Sequence, residues 1–226
     1  MMALTHVTAT ASFRTHSEDR VLVEDRGGAL LVVVADGAGG IPGGDRAAER
    51  FVAHVRSRAP AAPTDRAPDL LVDVLREADR LVSADREAGE TTGIALLIHG
   101  ESIVGAASGD SEAWRVSADS HVVLTAGQKR KRRIGGGSAE PVAFAGSVMG
   151  CTLLVGTAPA SPTRSSAGGP RLVLLHGGFI RDRRSWTRAG FVERLEGAMR
   201  RIAVDLRGHG GNGRETPRRS GRLLPA

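Results

Sequence analysis

Three short acidic segments in the first half of the chain contain residue types that bind divalent cations. They are Glu18-Asp19, Asp36-Gly37, and Asp110 within a Ser-Gly-Asp-Ser turn at 108–111. Hard cations such as Mg²⁺ and Mn²⁺ prefer oxygen ligands, which carboxylates and backbone carbonyls supply. An Asp that ends a buried strand is held rigidly, and a glycine after it allows close approach of the backbone carbonyl. Taken singly, each of these dipeptides is also an ordinary turn sequence.

The hydrophobic pattern predicts the strands and helices that would position these segments. Residues 29–35 (ALLVVVA) are typical of a buried strand that ends just before Asp36. Apolar residues at helical spacing predict one helix that begins at Asp45 and a second over 69–87, whose apolar stripe includes Leu70 and Leu81. Further strands are predicted at 8–13, 21–24, 91–99, 102–107, 112–116, 121–124, 151–156, 172–175 and 202–205, with a turn at Gly100-Glu101 between the third and fourth of these. A further helix is predicted around 188–200.

The order and context of these segments resemble one known family. RTHSEDR at 14–20, VVVADGAGG at 32–40, the strand start Thr91-Thr92-Gly93 and ASGDSEAW at 107–114 are similar to the motifs of the metal-dependent protein phosphatases of type 2C. The resemblance covers roughly residues 5–156. It implies an α+β fold in which two antiparallel sheets form a β-sandwich flanked by helices.

The resemblance implies hydrolysis of phosphoserine and phosphothreonine in proteins, assisted by two Mn²⁺ or Mg²⁺ ions that polarise a water. By position, Asp36 would bridge the two metals, and Gly37 would offer its carbonyl. Glu18 and Asp19 would hold the second metal, directly or through water. Asp110 would belong to a third and weaker metal site. Arg14 would bind the substrate phosphate through its planar guanidinium.

Two parts of the family pattern are missing from this sequence. The family has an Asp-Gly directly after the strand that matches 152–157, where this chain has Thr157-Ala158-Pro159. The family's Asp-Asn near the end of the domain and its final strands have no counterpart either. We therefore expect an incomplete sandwich with exposed sheet edges, and a first metal held mainly by Asp36. The alternative is a catalytically inactive phosphatase-like binding protein, or a gene-fusion fragment.

The composition changes near Lys129. Residues 1–128 have 19 acidic and 12 basic residues, whereas 129–226 have 6 acidic and 19 basic residues, so the net charge changes from −7 to +13.

Segments at 171–178 (RLVLLHGG) and 202–213 (IAVDLRGHGGNG) resemble the start of an α/β-hydrolase. No Gly-x-Ser-x-Gly elbow accompanies them, so no hydrolase catalysis is expected. The predicted organisation is a truncated phosphatase-like domain at 1–156, a linker at 157–170, a partial α/β segment at 171–213 and a disordered tail at 214–226.

Several other classes of protein and partner are not expected. The single cysteine, Cys151, excludes an internal disulfide framework and a cysteine-built zinc site. No apolar run approaches the roughly 20 residues that span a bilayer, and the N-terminus lacks the pattern of a signal peptide, so we expect a cytoplasmic protein with no membrane partner. The basic run KRKRR at 129–133 could contact nucleic acid, but it lacks aromatic neighbours and is more typical of a solvated loop. The sequence leaves the oligomeric state open.

Overall fold

A computed structural model describes residues 8, 17–38, 42–62, 64–117, 121–129, 131–149 and 151–157, together with two strands at 171–175 and 200–204. The helices in this part of the chain are α1 (Gly44–Arg58) and α2 (Ala67–Ser83). The strands are β1 (Arg20–Asp25), β2 (Ala29–Ala35), β3 (Gly93–His99), β4 (Ser102–Ser108), β5 (Ser111–Val116), β6 (His121–Val123), β7 (Val142–Ser147), β8 (Thr152–Thr157), β9 (Arg171–Leu175) and β10 (Arg200–Val204).

Eight of these strands form two antiparallel sheets. The larger sheet has the order β1-β2-β3-β4-β7, and the smaller has the order β6-β5-β8. Both helices pack against the larger sheet through one hydrophobic cluster. A second cluster joins the larger sheet to the smaller one. The prediction of an α+β fold with two antiparallel sheets flanked by helices is confirmed.

Alternate residues of β2 and β3 contribute to the two clusters. Leu31 and Val33 of β2 and Leu97 of β3 belong to the helix side. Ile94 and Leu96 of β3 belong to the cluster that contacts the smaller sheet. Because a strand covered on both faces buries every side chain, it is apolar throughout instead of alternating. This double coverage accounts for the unbroken apolar sequence that precedes Asp36.

The buried face of α2 is narrower than the sequence predicts. Its centre is formed by Leu71, Leu75 and Val82, which are fully buried. Leu70 and Leu81 were expected on the same stripe, but they are 40% and 39% exposed. Each precedes a buried residue by one position, which places it about 100° away around the helix axis. The prediction that they belong to the core is therefore wrong.

Helix α2 also ends four residues before the predicted end. It ends at Ser83, and the carboxylate of Asp85 accepts the backbone N–H of Glu87 at 3.1 Å. The same carboxylate forms ion pairs with Arg46 and Arg50 of α1. A side chain that bonds the nearby backbone competes with helical hydrogen bonds, which explains why the helix does not continue.

Strand β7 was not predicted, and its position depends on a glycine of β4. It pairs with β4 at the edge of the larger sheet, where Phe144 lies opposite Gly105. A Cβ on Gly105 would lie 2.3 Å from the Phe144 Cζ, so the glycine leaves the space that the ring fills. The segment otherwise contains small residues and lacks an alternating pattern, so its sequence gave little sign of a strand.

Strands β9 and β10 pair in parallel, with Arg171 opposite Arg200. Both were predicted. The helix predicted around 188–200 lies outside the described residues except for Arg200, which begins β10. The predicted strand at 8–13, apart from Thr8, the linker at 157–170, apart from Thr157, and the tail at 214–226 also lie outside them. No helix in the part of the chain that the structure describes is long and apolar enough to span a membrane.

Candidate active site

Asp36 lies at the point where the chain leaves the buried layer at the end of β2. The preceding Ala35 is fully buried, whereas Asp36 is partly exposed. The Asp36 N–H donates to Thr92 Oγ1 at 3.1 Å, and the Thr92 N–H donates to the Asp36 carbonyl at 2.9 Å. Both backbone polar groups of Asp36, its N–H and its carbonyl, therefore form hydrogen bonds with one residue, Thr92.

Gly37, the next residue, packs closely against neighbouring segments of backbone. Its N–H donates to the Glu18 carbonyl at 3.3 Å, and its backbone forms a bridge with Thr91. A Cβ at Gly37 would lie 2.6 Å from the Gly44 carbonyl oxygen and 2.8 Å from that of Glu18. Only glycine allows so close an approach of three backbone segments.

Glu18 and Asp19 lie beside Asp36 because β1 runs antiparallel to β2. Arg20, the first residue of β1, is opposite Ala35, the last residue of β2. The Asp19 N–H donates to Ser17 Oγ at 3.2 Å, and Arg20 Nη1 donates to the carbonyls of Ser17 and Asp19 at 2.7 and 3.0 Å. The structure thus brings the first two acidic segments together at one end of the larger sheet.

The third acidic segment connects the two sheets. Asp110 follows Gly109, whose φ of +99° is one that L side chains rarely adopt, in the turn between β4 and β5. The hydroxyl of Ser111 lies 2.5 Å from that of Thr92, and Gln128 Nε2 donates to the Ser111 carbonyl at 2.6 Å. Asp110 is therefore linked to the Asp36 turn through its neighbour Ser111 and through Thr92.

Thr92 is a site residue that the sequence did not reveal. Its side chain is 2% exposed and contacts both the Asp36 backbone and the Ser111 hydroxyl. The sequence placed it in a strand start that resembles the phosphatase family, but it gave Thr92 no role in the site. Its hydrogen-bond partner Asp36 is 56 residues away in the sequence, so no local sequence pattern indicates the pair.

Arg14, the predicted phosphate ligand, lies outside the described residues, and so do residues 39–41, which follow the Asp36 turn. The role of Arg14 stays a prediction.

The donors present fit a hard divalent cation in their chemistry. The carboxylates of Asp36, Glu18 and Asp19 and the carbonyl of Gly37 are all oxygen ligands. Within the described ranges, however, no group of three or more His, Cys, Asp or Glu side chains is arranged to hold a metal ion. Mg²⁺ is commonly bound through one or two carboxylates plus substrate phosphates, and it keeps several waters. The donors match such a hydrated cation better than one enclosed by protein ligands.

The end of β8 lies where the family pattern has a further ligand. Thr157, its last residue, is opposite Ser111, which is next to Asp110. The sequence continues with Ala158, where the resemblance would require an Asp. The register therefore ends β8 beside the turn that contains Asp110, without the carboxylate expected after this strand.

The basic run at 129–133 lies next to the same turn, because Ser108 Oγ donates to the Arg132 carbonyl at 2.6 Å. Lys129 and Arg132 both pair with Glu140, and the hydrogen bond from Lys129 lowers the pKa of Glu140. Arg133 lies 3.8 Å from Glu90. These ion pairs neutralise part of the charge of the run.

An open groove of about 760 Å³ lies elsewhere, between the outer edge of β1 and α1. Its lining includes none of the acidic residues predicted as metal ligands, and it combines charged with apolar side chains: Arg20, Leu22, Glu24, Arg26, Glu49, Val52, Ala53, Arg56 and Ser57.

Solved structures of bacterial phosphatases are similar to this fold. Serine/threonine phosphatase Stp1 from Staphylococcus aureus has a TM-score of 0.56 at 19% identity, over 66% of this chain and 73% of that chain. A serine/threonine phosphatase of S. agalactiae has a TM-score of 0.50 at 22% identity, over 63% and 73%. The phosphatase PstP/Ppp of Mycobacterium tuberculosis has a TM-score of 0.50 at 20% identity, over 60% and 69%. No family model and no curated protein matches the sequence.

The chain has the fold of these serine/threonine phosphatases. At 19–22% identity the likeness establishes the fold alone. At the level of the fold, it confirms the resemblance to type 2C phosphatases that the sequence motifs indicated. The α/β-hydrolase resemblance at 171–213 stays a prediction.

Proposed function

We propose that this protein is a metal-dependent serine/threonine phosphatase that hydrolyses phosphoserine and phosphothreonine in other proteins. The observation that carries the proposal is the end of β2, where Asp36 and Gly37 are fixed against Thr92 and the Glu18 backbone. This arrangement occurs within a fold shared with serine/threonine phosphatases. A carboxylate on a fixed stretch of backbone, beside a second acidic segment, suits a phosphoryl-transfer site that uses divalent cations.

The metal would be Mn²⁺ or Mg²⁺, held by Asp36, the Gly37 carbonyl, Glu18 and Asp19, with Asp110 at a weaker site. When bound, such ions neutralise charge on phosphoryl oxygens and lower the pKa of water. The chain's own residues supply orientation. Thr92 fixes the backbone of Asp36. The hydrogen bond from Gly37 to Glu18 keeps the residues just before β1 next to Asp36.

Substrate binding would involve Arg14. A guanidinium presents parallel N–H donors that suit two phosphate oxygens, and Arg14 is four residues before Glu18 in the sequence. Phosphoproteins are thus the proposed partners. We further propose that residues 1–156 form the phosphatase domain, because the described part of that range contains both antiparallel sheets and both helices, and that the protein acts in the cytoplasm.

The proposal is tested with phosphopeptides and the purified full-length chain. We expect release of phosphate from phosphothreonine and phosphoserine peptides in Mn²⁺, and no release once EDTA removes the metal, since phosphate charge would then lack a counter-ion. Phosphate release is measured colorimetrically, and circular dichroism in EDTA verifies that the metal-free chain is still folded.

A phosphotyrosine peptide of the same sequence provides the substrate control. The proposal would be contradicted by equal hydrolysis of all three peptides in EDTA, or by hydrolysis of the phosphotyrosine peptide alone.

A further inference from the structure

Thr92 connects the two acidic turns of the candidate site through one hydroxyl group. Its Oγ1 accepts the Asp36 N–H at 3.1 Å and lies 2.5 Å from Ser111 Oγ. Asp36 directly follows β2 of the larger sheet, while Ser111 begins β5 of the smaller one. The hydroxyl thus joins the two sheets at the place where Asp36 and Asp110 lie.

The surroundings leave this hydroxyl little freedom. Thr92 is 2% exposed, and Ser111 is fully buried. A Cβ at Gly109 would lie 3.0 Å from the Thr92 Cβ, so the turn before Asp110 packs directly on this side chain. Buried hydroxyls that exchange hydrogen bonds at such short range fix the groups they join, because breaking the bond leaves a polar atom without a partner.

We propose that Thr92 is a positioning residue, which sets the Asp36 turn against the Asp110 turn so that the carboxylates of both turns can hold divalent cations at the same end of the fold. This inference rests on the proposed function. It assigns Thr92 no contact with the metal or the substrate; the residue acts through the backbone of Asp36 and the hydroxyl of Ser111.

The test is Mn²⁺ binding, measured by calorimetric titration of the folded full-length protein with Mn²⁺ alone. Thr92→Val keeps the shape of the side chain but removes its hydroxyl. We expect Mn²⁺ to bind about tenfold more weakly, the effect of losing one or two hydrogen bonds that hold a ligand in place. Thr92→Ser keeps the hydroxyl and should restore binding to within about twofold of the original protein.

Thr125→Val is the matched control. Thr125 is also 2% exposed, and its Oγ1 also accepts a backbone N–H, that of Ala113 at 3.2 Å. The control variant loses the same kind of bond away from the acidic turns. It should lose thermal stability as Thr92→Val does, but it should bind Mn²⁺ as the unmodified protein does.

Equal Mn²⁺ affinity in the two valine variants would overturn the inference, since Thr92 would then be only structural. Absence of Mn²⁺ binding by the unmodified protein would also overturn it. If Thr92→Val does not fold, Ser111→Ala decides: weaker Mn²⁺ binding supports the inference, and unchanged binding overturns it. If Mn²⁺ binds and depends on Thr92 while no phosphopeptide is hydrolysed, the inference stands and the proposed function fails.

Discussion

Gly37 lies against two stretches of backbone where a side chain would not fit. The nearest atoms to a Cβ at this position are backbone atoms of Gly44 and Glu18, which cannot move aside as the end of a flexible side chain can. At the scale of single residues, the candidate site is thus defined by close backbone packing as well as by its carboxylates. Glycine is required at position 37 because a side chain would not fit there, whether or not a metal ion binds.

We expect Gly37→Ala to lower the free energy of unfolding by about 1–3 kcal/mol, the usual cost of forcing extra atoms into a packed region. It should also reduce Mn²⁺-dependent hydrolysis, because Glu18 would be displaced from Asp36. Urea unfolding and phosphate release measure the two effects. Gly127→Ala is the control, since its nearest neighbour would be Val142 Cγ1 at 3.7 Å. A Gly37→Ala protein with original stability and activity would refute this view of the turn.

Helix α2 anchors the loop that leads towards the site. Asp79, which is 5% exposed, accepts backbone N–H groups of Gly135, Gly137 and Ala139 at 2.7, 3.1 and 3.0 Å. The next residue back along the chain, Ile134, pairs with Thr91. One buried carboxylate thereby orders a loop that supports the segment containing Thr91 and Thr92.

We expect Asp79→Ala to lower the free energy of unfolding by about 3 kcal/mol, because three backbone donors lose their common acceptor in a largely buried position. Urea denaturation measures the change. Asp73→Ala on the same helix is the control: its side chain is 64% exposed, and the change should stay within about 0.5 kcal/mol. Equal stabilities of the two variants would show that the loop does not depend on Asp79.

The elements that were predicted correctly are those with a strong local pattern. The apolar run of β2 and the turn at Gly100 between β3 and β4 depend on neighbouring residues, and so does the buried centre of α2. Strand β7 depends on the space that Gly105 leaves for Phe144, and the exposure of Leu70 depends on the limited width of the helix–sheet contact. These features are determined by distant parts of the chain, so local patterns did not indicate them.

The same limit applies to the site. The acidic residues could be found because an Asp-Gly after an apolar strand is a local motif. Thr92 and Asp79 could not, since each bonds a partner 56 residues away. Hydrogen bonds between residues so far apart in the chain produce no regular pattern in a single sequence.

At the scale of the whole molecule, the candidate site forms where the two sheets meet. The larger sheet contributes the ends of β1 and β2, and the β4–β5 turn contributes Asp110 as the chain crosses to the smaller sheet. β8 ends at the same place, opposite Ser111. The proposed function therefore depends on both sheets being packed together, and the central claim concerns what the carboxylates at this place can do without an Asp after β8.

The most direct test of that claim is hydrolysis of p-nitrophenyl phosphate by the purified protein with and without Mn²⁺, beside Asp36→Asn and the exposed control Asp73→Asn. We predict Mn²⁺-dependent hydrolysis that falls more than about 100-fold in Asp36→Asn, because a metal ligand matters at least as much as the residues that orient it. Asp73→Asn should retain the original rate. A folded protein without Mn²⁺-dependent hydrolysis, or an Asp36→Asn variant of undiminished activity, would contradict the account.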